Sequence, residues 1–449
     1  MTTPTPTPPS PSTFPRLPPS GIHVLIVGAG FAGLTAAIEC DRKGHRVTVL
    51  EKSATLLPLG DIISFGQNSS RFFARWPGVR DALDPLVHKH DQFRFHSWRG
   101  EYVTTQSFAE EHRVWGERVN GHRGEIHEVV LAHARARGVE VRLGVNVVRY
   151  FEEEEGEEEG GLAGVETEGG ERLTADVVLA AEGVRSRGRK LVLGFEERPQ
   201  PSGYAVFRTW FGAEEVLRNE KTRWLVEKGD SHTGWIGEDV HFLVAAIKGG
   251  KEISWVCTHK DEGGIEESWQ FPGKIEDVLR VVEGWDPVVV ELVKLTPPER
   301  LFDYKLVFRD PLPTFISPQA RTALIGDAAH PFLPTSIQGA SQAMEDGVVL
   351  AACLDKAGKG KVQEAVRVWE RIRYERVHKI QQTGVSTREQ WHKADWDAIW
   401  KDPESMHLKR EAWILDFDAE ADAYASYDVV REELEKGGKR SETLRADLG

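Results

Sequence analysis

The chain has 449 residues, 40% hydrophobic and 29% charged, the composition of a folded globular protein long enough for two or three domains. Its net charge of −14 repels phosphate backbones and anionic membrane surfaces, which argues against nucleic acid or a membrane as partner. Its three cysteines, Cys40, Cys257 and Cys353, are odd in number and far apart, which excludes a disulfide framework and a Cys-x-x-Cys metal site. A reducing, cytoplasmic setting without a metal is expected.

Residues 1–20 carry eight prolines, a single Arg and no apolar block, so they read as a disordered tail rather than a signal peptide or presequence. The most apolar stretch, 24–38, is 15 residues long and falls short of the roughly 20 that span a bilayer. Residues 23–27 are a β-branched run that suits a strand buried on both faces. They lead into Gly28-Ala-Gly-Phe-Ala-Gly33, then a helix over 34–42 stopped by Gly44, then a strand over 46–50 ending at Glu51. That is a strand–helix–strand unit of about 30 residues.

A helix over 124–136 and a strand over 139–143 follow. The acidic run Glu152–Glu155 and Glu157–Glu159 reads as a solvated hairpin tip between strands 146–150 and 163–168, and 173–181 reads as one further buried strand. Between 199 and 313 aromatic and β-branched residues alternate, at 204–211, 241–247 and 253–259, as in an antiparallel sheet. Residues 322–325 then predict a strand and 339–354 a helix, so the first domain resumes. Beyond 360 the chain reads as helical and Trp-rich, with a charged end expected to fray.

Gly28, Gly30 and Gly33 have the spacing that a dinucleotide pyrophosphate requires: a tight turn, close backbone approach, and close packing of helix on strand. Free N–H groups at the helix start face the phosphates. Glu51 is placed to accept the ribose hydroxyls, which favours FAD or NAD over NADP at this site.

A second constellation is Gly326-Asp327-Ala-Ala-His330, Pro331, Pro334, Gln338-Gly339 and Glu345-Asp346. With the glycine turn, it resembles the FAD-dependent aromatic monooxygenases of the salicylate hydroxylase type, the group A flavin hydroxylases. The resemblance covers residues 21 to about 360. It implies that Asp327 binds the ribityl chain and that Pro334, Gln338 and Gly339 form the loop beside the flavin ring. The helix starting near Gly339 then aims its positive end at that ring.

Two departures stand out: Ile337 replaces the family's second glycine before the helix, and Ala181-Glu182-Gly183 replaces its Ala-Asp-Gly. Glu182 and Gly183, followed by Arg185, Ser186 and Arg189, are expected to serve the cofactor. The resemblance also places Arg123 on the ribityl or pyrophosphate; a cation at a helix start opposes the dipole, which points to an anionic partner, with a surface Arg as the alternative. Arg208 sits in an otherwise apolar strand and must find an anion or several acceptors. In the family an Arg there lies over the flavin and engages substrate, either holding a phenolate or donating to an epoxide or carbonyl. Asp61 follows the second strand and is a candidate for contact with ring or substrate, with a plain loop Asp as the alternative.

Ala245-Ala246 stands where many phenol hydroxylases carry a Tyr, so Trp210, Trp235 and Phe242 are candidates to line a larger aromatic pocket, against their commoner job of core packing. His88, His90 and His96 read as a polar strand rather than metal ligands, and His330 as a structural partner.

The expected fold is α/β: a Rossmann-like FAD-binding domain (21–195, with a substrate-side segment at 60–120, and 316–380), an inserted mostly antiparallel β-sheet substrate domain (196–315), and a helical C-terminal region (381–449). The implied function is FAD-dependent monooxygenation with NADPH or NADH as transient co-substrate. A flavin hydroperoxide would hydroxylate a phenol-like ring. The alternatives are epoxidation and rearrangement of an indole or fused alkaloid, an oxygen-independent flavin dehydrogenase or reductase, and a non-catalytic nucleotide-binding partner protein. The expected partners are a small aromatic or indole-type substrate and O2.

Overall fold

The computed structural model describes residues 15–56, 60–153, 161–195, 200–261, 263 and 271–437. Most of the expected tail (1–14), the acidic tip (154–160) and the charged end (438–449) lie outside the described residues. The last part of the expected tail is bonded to the body. The Leu17 N–H donates to Arg42 O (2.8 Å) and the Ser20 N–H to Gly44 O (3.0 Å), so ordered chain begins before Gly21.

Among the described residues a five-stranded parallel sheet runs in the order Thr322–Leu324, Val177–Ala180, His23–Val27, Arg46–Glu51, Glu140–Leu143. Its central strand is apolar and buried on both faces, as helices on either side of a parallel sheet demand. The helix Phe31–Arg42 starts three residues earlier than expected, directly from the glycine turn. The helix Gly339–Ala357 lies against it so closely that a Cβ on Gly347 would stand 2.6 Å from Ala36 N.

The stretch expected as one strand over 173–181 is two. Arg172–Ala175 belongs to a three-stranded antiparallel sheet with Ala163–Thr167 and Val147–Glu152, and Val177–Ala180 to the parallel sheet. Asp176 marks the break, where its carboxylate accepts from the His23 N–H (2.7 Å) and from Lys359.

A seven-stranded sheet runs in the order Phe302–Phe308, Gln200–Gly212, Glu252–Lys260, Val240–Ile247, Ser231–Gly237, Gln92–Ser97, Tyr102–Ser107. Its last two strands come from the first part of the chain, and Gln92–Ser97 pairs parallel to Ser231–Gly237. The inserted sheet therefore extends beyond 196–315, because 92–107 finds its hydrogen bonds there.

One face of this sheet carries Phe207, Trp235, Phe242, Trp255 and Cys257 under the helices Ile275–Val281 and Pro287–Lys294. The opposite face carries Arg208, Val256, Leu243 and Ala245, by strand alternation. The 31-residue helix Val362–His392 runs unbroken across the boundary placed at 380, because buried residues continue along it: Val366, Trp369 and Val377 in the main core, Ile380 with Ile414 and Leu415, and Trp391 in the cluster of Phe93 and Phe95. Among the described residues no helix is long and apolar enough to cross a membrane.

Candidate functional site

The three glycines of the first turn meet three different demands. Gly28 has φ +105°, and a Cβ there would lie 2.3 Å from Ala181 O, so only glycine fits the crossing of the turn over the neighbouring strand. A Cβ on Gly33 would meet Gly28 O at 2.0 Å, which is the close packing of helix on strand. A Cβ on Gly30 would meet nothing within 4 Å, so the open side of the turn is here. Gly30 caps the helix without a side-chain hydrogen bond, leaving the first N–H groups to an anionic ligand. Glu51 stands at the same mouth: one carboxylate oxygen accepts from the Ala29 N–H (3.0 Å), the other from the Ser53 N–H (2.9 Å). Each oxygen keeps a further lone pair for a hydroxyl.

The strand Thr322–Leu324 delivers Gly326 and Asp327 to this cleft. Gly326 has φ +59°, and its N–H donates to Asp346 (2.8 Å). Arg189 donates to Ala328 O (2.6 Å) and Asp327 O (3.0 Å), so the arginine of the Ala-Glu-Gly segment fixes the second motif. Asp327 is exposed, and the protein packed around its carboxylate pushes its pKa up; His330, Arg123 and Arg189 oppose that rise.

Arg123 opens the helix Arg123–Ala136 and donates its N–H to Asp61 O (2.9 Å). Burial lowers its pKa, Asp61 and Asp327 counter that, and Arg208 adds to it, so these four charged groups share one region. Arg208 is 4% exposed, and its guanidinium lies 3.5 Å from the Asp61 carboxylate and over the Phe302 ring. The structure thus brings together the glycine turn, Glu51, Asp327, Arg123, Asp61 and Arg208.

Other expected residues are placed differently. The Glu182 carboxylate turns inward, accepting from Ser186 Oγ (2.6 Å) and the Gly188 N–H (3.4 Å), where burial raises its pKa. What faces the glycine turn at this point is the 181–182 peptide, with Gly183 at φ +74° completing the bend. Gln338 is also turned inward, accepting from Asn68 (3.1 Å) and Gln342 (3.2 Å). Pro334 begins a single turn of 3₁₀-helix over Pro334–Ser336, and Gly339 starts the following long helix. Ile337 keeps a glycine-like backbone (φ 54°, ψ 24°) despite its β-branched side chain.

Trp235 and Phe242 are not pocket residues. They oppose each other on the helix-covered face, in the core with Trp255. Trp210 is on the cleft face, its ring 4.7 Å from His122 and its Nε1–H donating to Glu252 (2.7 Å). His330 is buried, and its Nε2–H donates to the Asp346 carboxylate (2.7 Å), the contact of a structural partner.

Sequence reasoning missed the support beneath the loop that precedes Gly339. Arg373, fully buried, binds Asp346 (2.9 Å), Glu345 (2.5 Å) and Gln342 (2.7 Å), and Arg376 binds Glu345 (2.9 Å). Burial works against the charge of Asp346, yet His330 and Arg373 hold it below the usual carboxylate range. The readable signal was an arginine in the stripe Val366, Trp369, Arg373, Val377, at helical spacing.

A cleft of this form accommodates a flavin dinucleotide, and the chain belongs to the FAD binding domain family, which it matches over residues 21–382. It is 34% identical to the asperlicin C monooxygenase of Petromyces alliaceus over 444 residues, covering 94% of each chain. Its fold matches the crystal structure of CtdE in complex with FAD and substrate 4 with a TM-score of 0.85 at 33% identity, over 92% of this chain and 100% of that one. It matches a salicylate hydroxylase substrate complex with a TM-score of 0.74 at 23% identity, over 90% and 98%. The protein is an FAD-dependent monooxygenase, and its α/β fold is that of the flavin hydroxylases. The dehydrogenase and non-catalytic readings fall away.

Proposed function

We propose that the protein oxygenates an electron-rich aromatic ring, using NADPH or NADH and O2, with the ring held between the bound FAD and the cleft face of the antiparallel sheet. The observation that carries this reading is Arg208, a buried guanidinium facing the cleft beside Asp61 and in electrostatic reach of Arg123. FAD, when bound, supplies the activation of oxygen; Gly28, Gly30, Gly33 and Glu51 would hold its adenosine and phosphates, and Asp327 with Arg123 its ribityl chain.

The chain's own contribution is to bind, orient and keep water out. Arg208 donates to an oxygen on the substrate. On a phenol it favours the phenolate by charge proximity, which makes the ring more nucleophilic. On an indole or fused ring system it stabilises the oxygen anion that develops after transfer. Asp61 orients the guanidinium.

The wall beside Arg208 favours the fused-ring substrate. Val256, Leu243 and Ala245 are aliphatic, and the Ser254 hydroxyl is committed to Thr209 O (2.9 Å), so few polar groups await a small phenol.

The test is product mass after turnover with ¹⁸O2, run on wild type and Arg208→Ala. Arg208→Ala is expected to keep FAD and lose coupled oxygenation by roughly 100-fold or more, with NADPH oxidation diverted to hydrogen peroxide. Coupled turnover at the wild-type level in that variant removes Arg208 from the mechanism.

A further inference from the structure

Ile337 lies in the left-handed region, where a β-branched residue is strained and a glycine is not. The strain cannot relax by movement of the loop. The Ile337 N–H is tied to Pro334 O (3.0 Å), Thr335 Oγ1 donates to Gly384 O (2.6 Å), and Ser336 packs on Gly384 so tightly that a Cβ there would lie 3.0 Å away. An unfavourable residue held this firmly points to a use for its side chain.

That side chain borders the apolar cluster that covers one end of the antiparallel sheet. Arg208, Val256, Leu243, Gly234 and Phe95 oppose one another in sequence across five strands, and directly opposed residues share a face. With strands about 4.8 Å apart, Leu243 lies roughly 10 Å along this row from Arg208. Asp61 closes the Arg208 end. At the other end Ile337 and Leu243 both border one apolar cluster, whose members include Phe93, Phe95, Ile236, Trp391 and Leu408. Ile337 also lines a cavity of about 160 Å³, with Thr383, Thr387, Leu408 and Leu415 and with Arg410 and Glu411 at its charged rim. A cavity of that size holds one benzene ring.

We propose that Ile337 is a specificity-determining residue: it ends the substrate space opposite Arg208 and partitions it from the cavity behind, and so sets the length of ring system the enzyme accepts. This rests on the aromatic-substrate reading above. The left-handed backbone is what drives the side chain into that partition, and removing the side chain joins the two spaces, adding room for one further fused ring.

Indole and carbazole differ by one benzo ring and serve as probes. Their Kd values are measured on flavin-loaded wild type, Ile337→Gly, Ile337→Ala and Leu243→Ala proteins from perturbation of the flavin's visible absorbance. In Ile337→Gly the affinity for carbazole relative to indole is expected to rise roughly tenfold. Ile337→Ala and Leu243→Ala, which open the same end, are expected to shift it in the same direction, and they carry the test if the glycine variant does not retain flavin. An unchanged ratio in the flavin-loaded variants overturns the proposal, as does a wild type that binds neither ring. Binding needs no turnover, so a shifted ratio without oxygenated product sinks the catalytic reading alone. Oxygenated product without the shift sinks only the role of Ile337.

Discussion

Gly30 and Gly33 lie three residues apart yet answer to different forces, and two substitutions separate them. A Cβ at position 33 would collide with Gly28 O at 2.0 Å, so Gly33→Ala must move the helix off the strand. The expected result is a stability loss of roughly 1–3 kcal/mol together with loss of flavin, measured by denaturant midpoint and flavin content. At position 30 a Cβ meets no protein atom, so Gly30→Ala is expected to leave the midpoint near wild type and weaken FAD binding alone. Equal losses of stability in both variants would contradict this division. The glycines were legible in the sequence because their spacing is written within one strand–turn–helix unit, and the partner of Gly33, Gly28 O, lies inside it. Glu182 was not: its type and position suggested a cofactor contact, but Ser186 and Gly188 take its carboxylate inward.

At the scale of elements, the end of the helix Val362–His392 is joined to the antiparallel sheet by two buried histidines. His241 Nδ1 and His392 Nε2 are 2.7 Å apart, and His241 Nε2 is 3.0 Å from Thr258 Oγ1. Two neutral rings satisfy this chain when His392 Nε2–H donates to His241 and His241 Nε2–H to Thr258. Burial lowers His392 to about 4, and burial with the neighbouring His392 takes His241 well below its usual value. Around the pair lie Tyr204, Asp239, Lys260 and Arg388; the carboxylate pulls His392 up, while Arg388 and Lys260 push it down. The unfolded chain binds the His392 proton near pH 6.5 and the folded one only near pH 4, so stability is full above pH 6.5 and falls as pH drops toward 4. The loss due to His392 is expected to reach about 3 kcal/mol. Melting temperatures of wild type and His392→Asn across pH 7.5 to 4.5 test it: the variant should show the shallower slope, and parallel slopes would exclude the pair. Neither histidine carried a sequence signal, because 151 residues separate them.

At the scale of the molecule, the Arg373 network couples the Gly-Asp turn, the helix behind the flavin loop and the long C-terminal helix. Its charges are fully buried and mutually satisfied, so its removal costs more than its presence gains. Arg373→Met leaves Glu345 and Asp346 facing Arg376 and His330 alone, and is expected to destabilise by roughly 3–5 kcal/mol, read from the urea midpoint. A loss under 1 kcal/mol would show that the remaining hydrogen-bond partners suffice.

Local pattern alone determined the parallel-sheet nucleotide unit, its glycine turn, the return of the same domain near residue 322, and the candidacy of Arg208, since each is written within a few consecutive residues. Tertiary structure decided the rest. Strand alternation in a sheet assembled from distant segments put Trp235 and Phe242 in the core and left Arg208 facing the cleft. Residues 92–107 joined that sheet because its edge offered them hydrogen-bond partners. The use of Ile337 emerged only when the loop, the helix at Gly384 and the sheet were in place, because side-chain direction depends on neighbours that the local sequence does not contain.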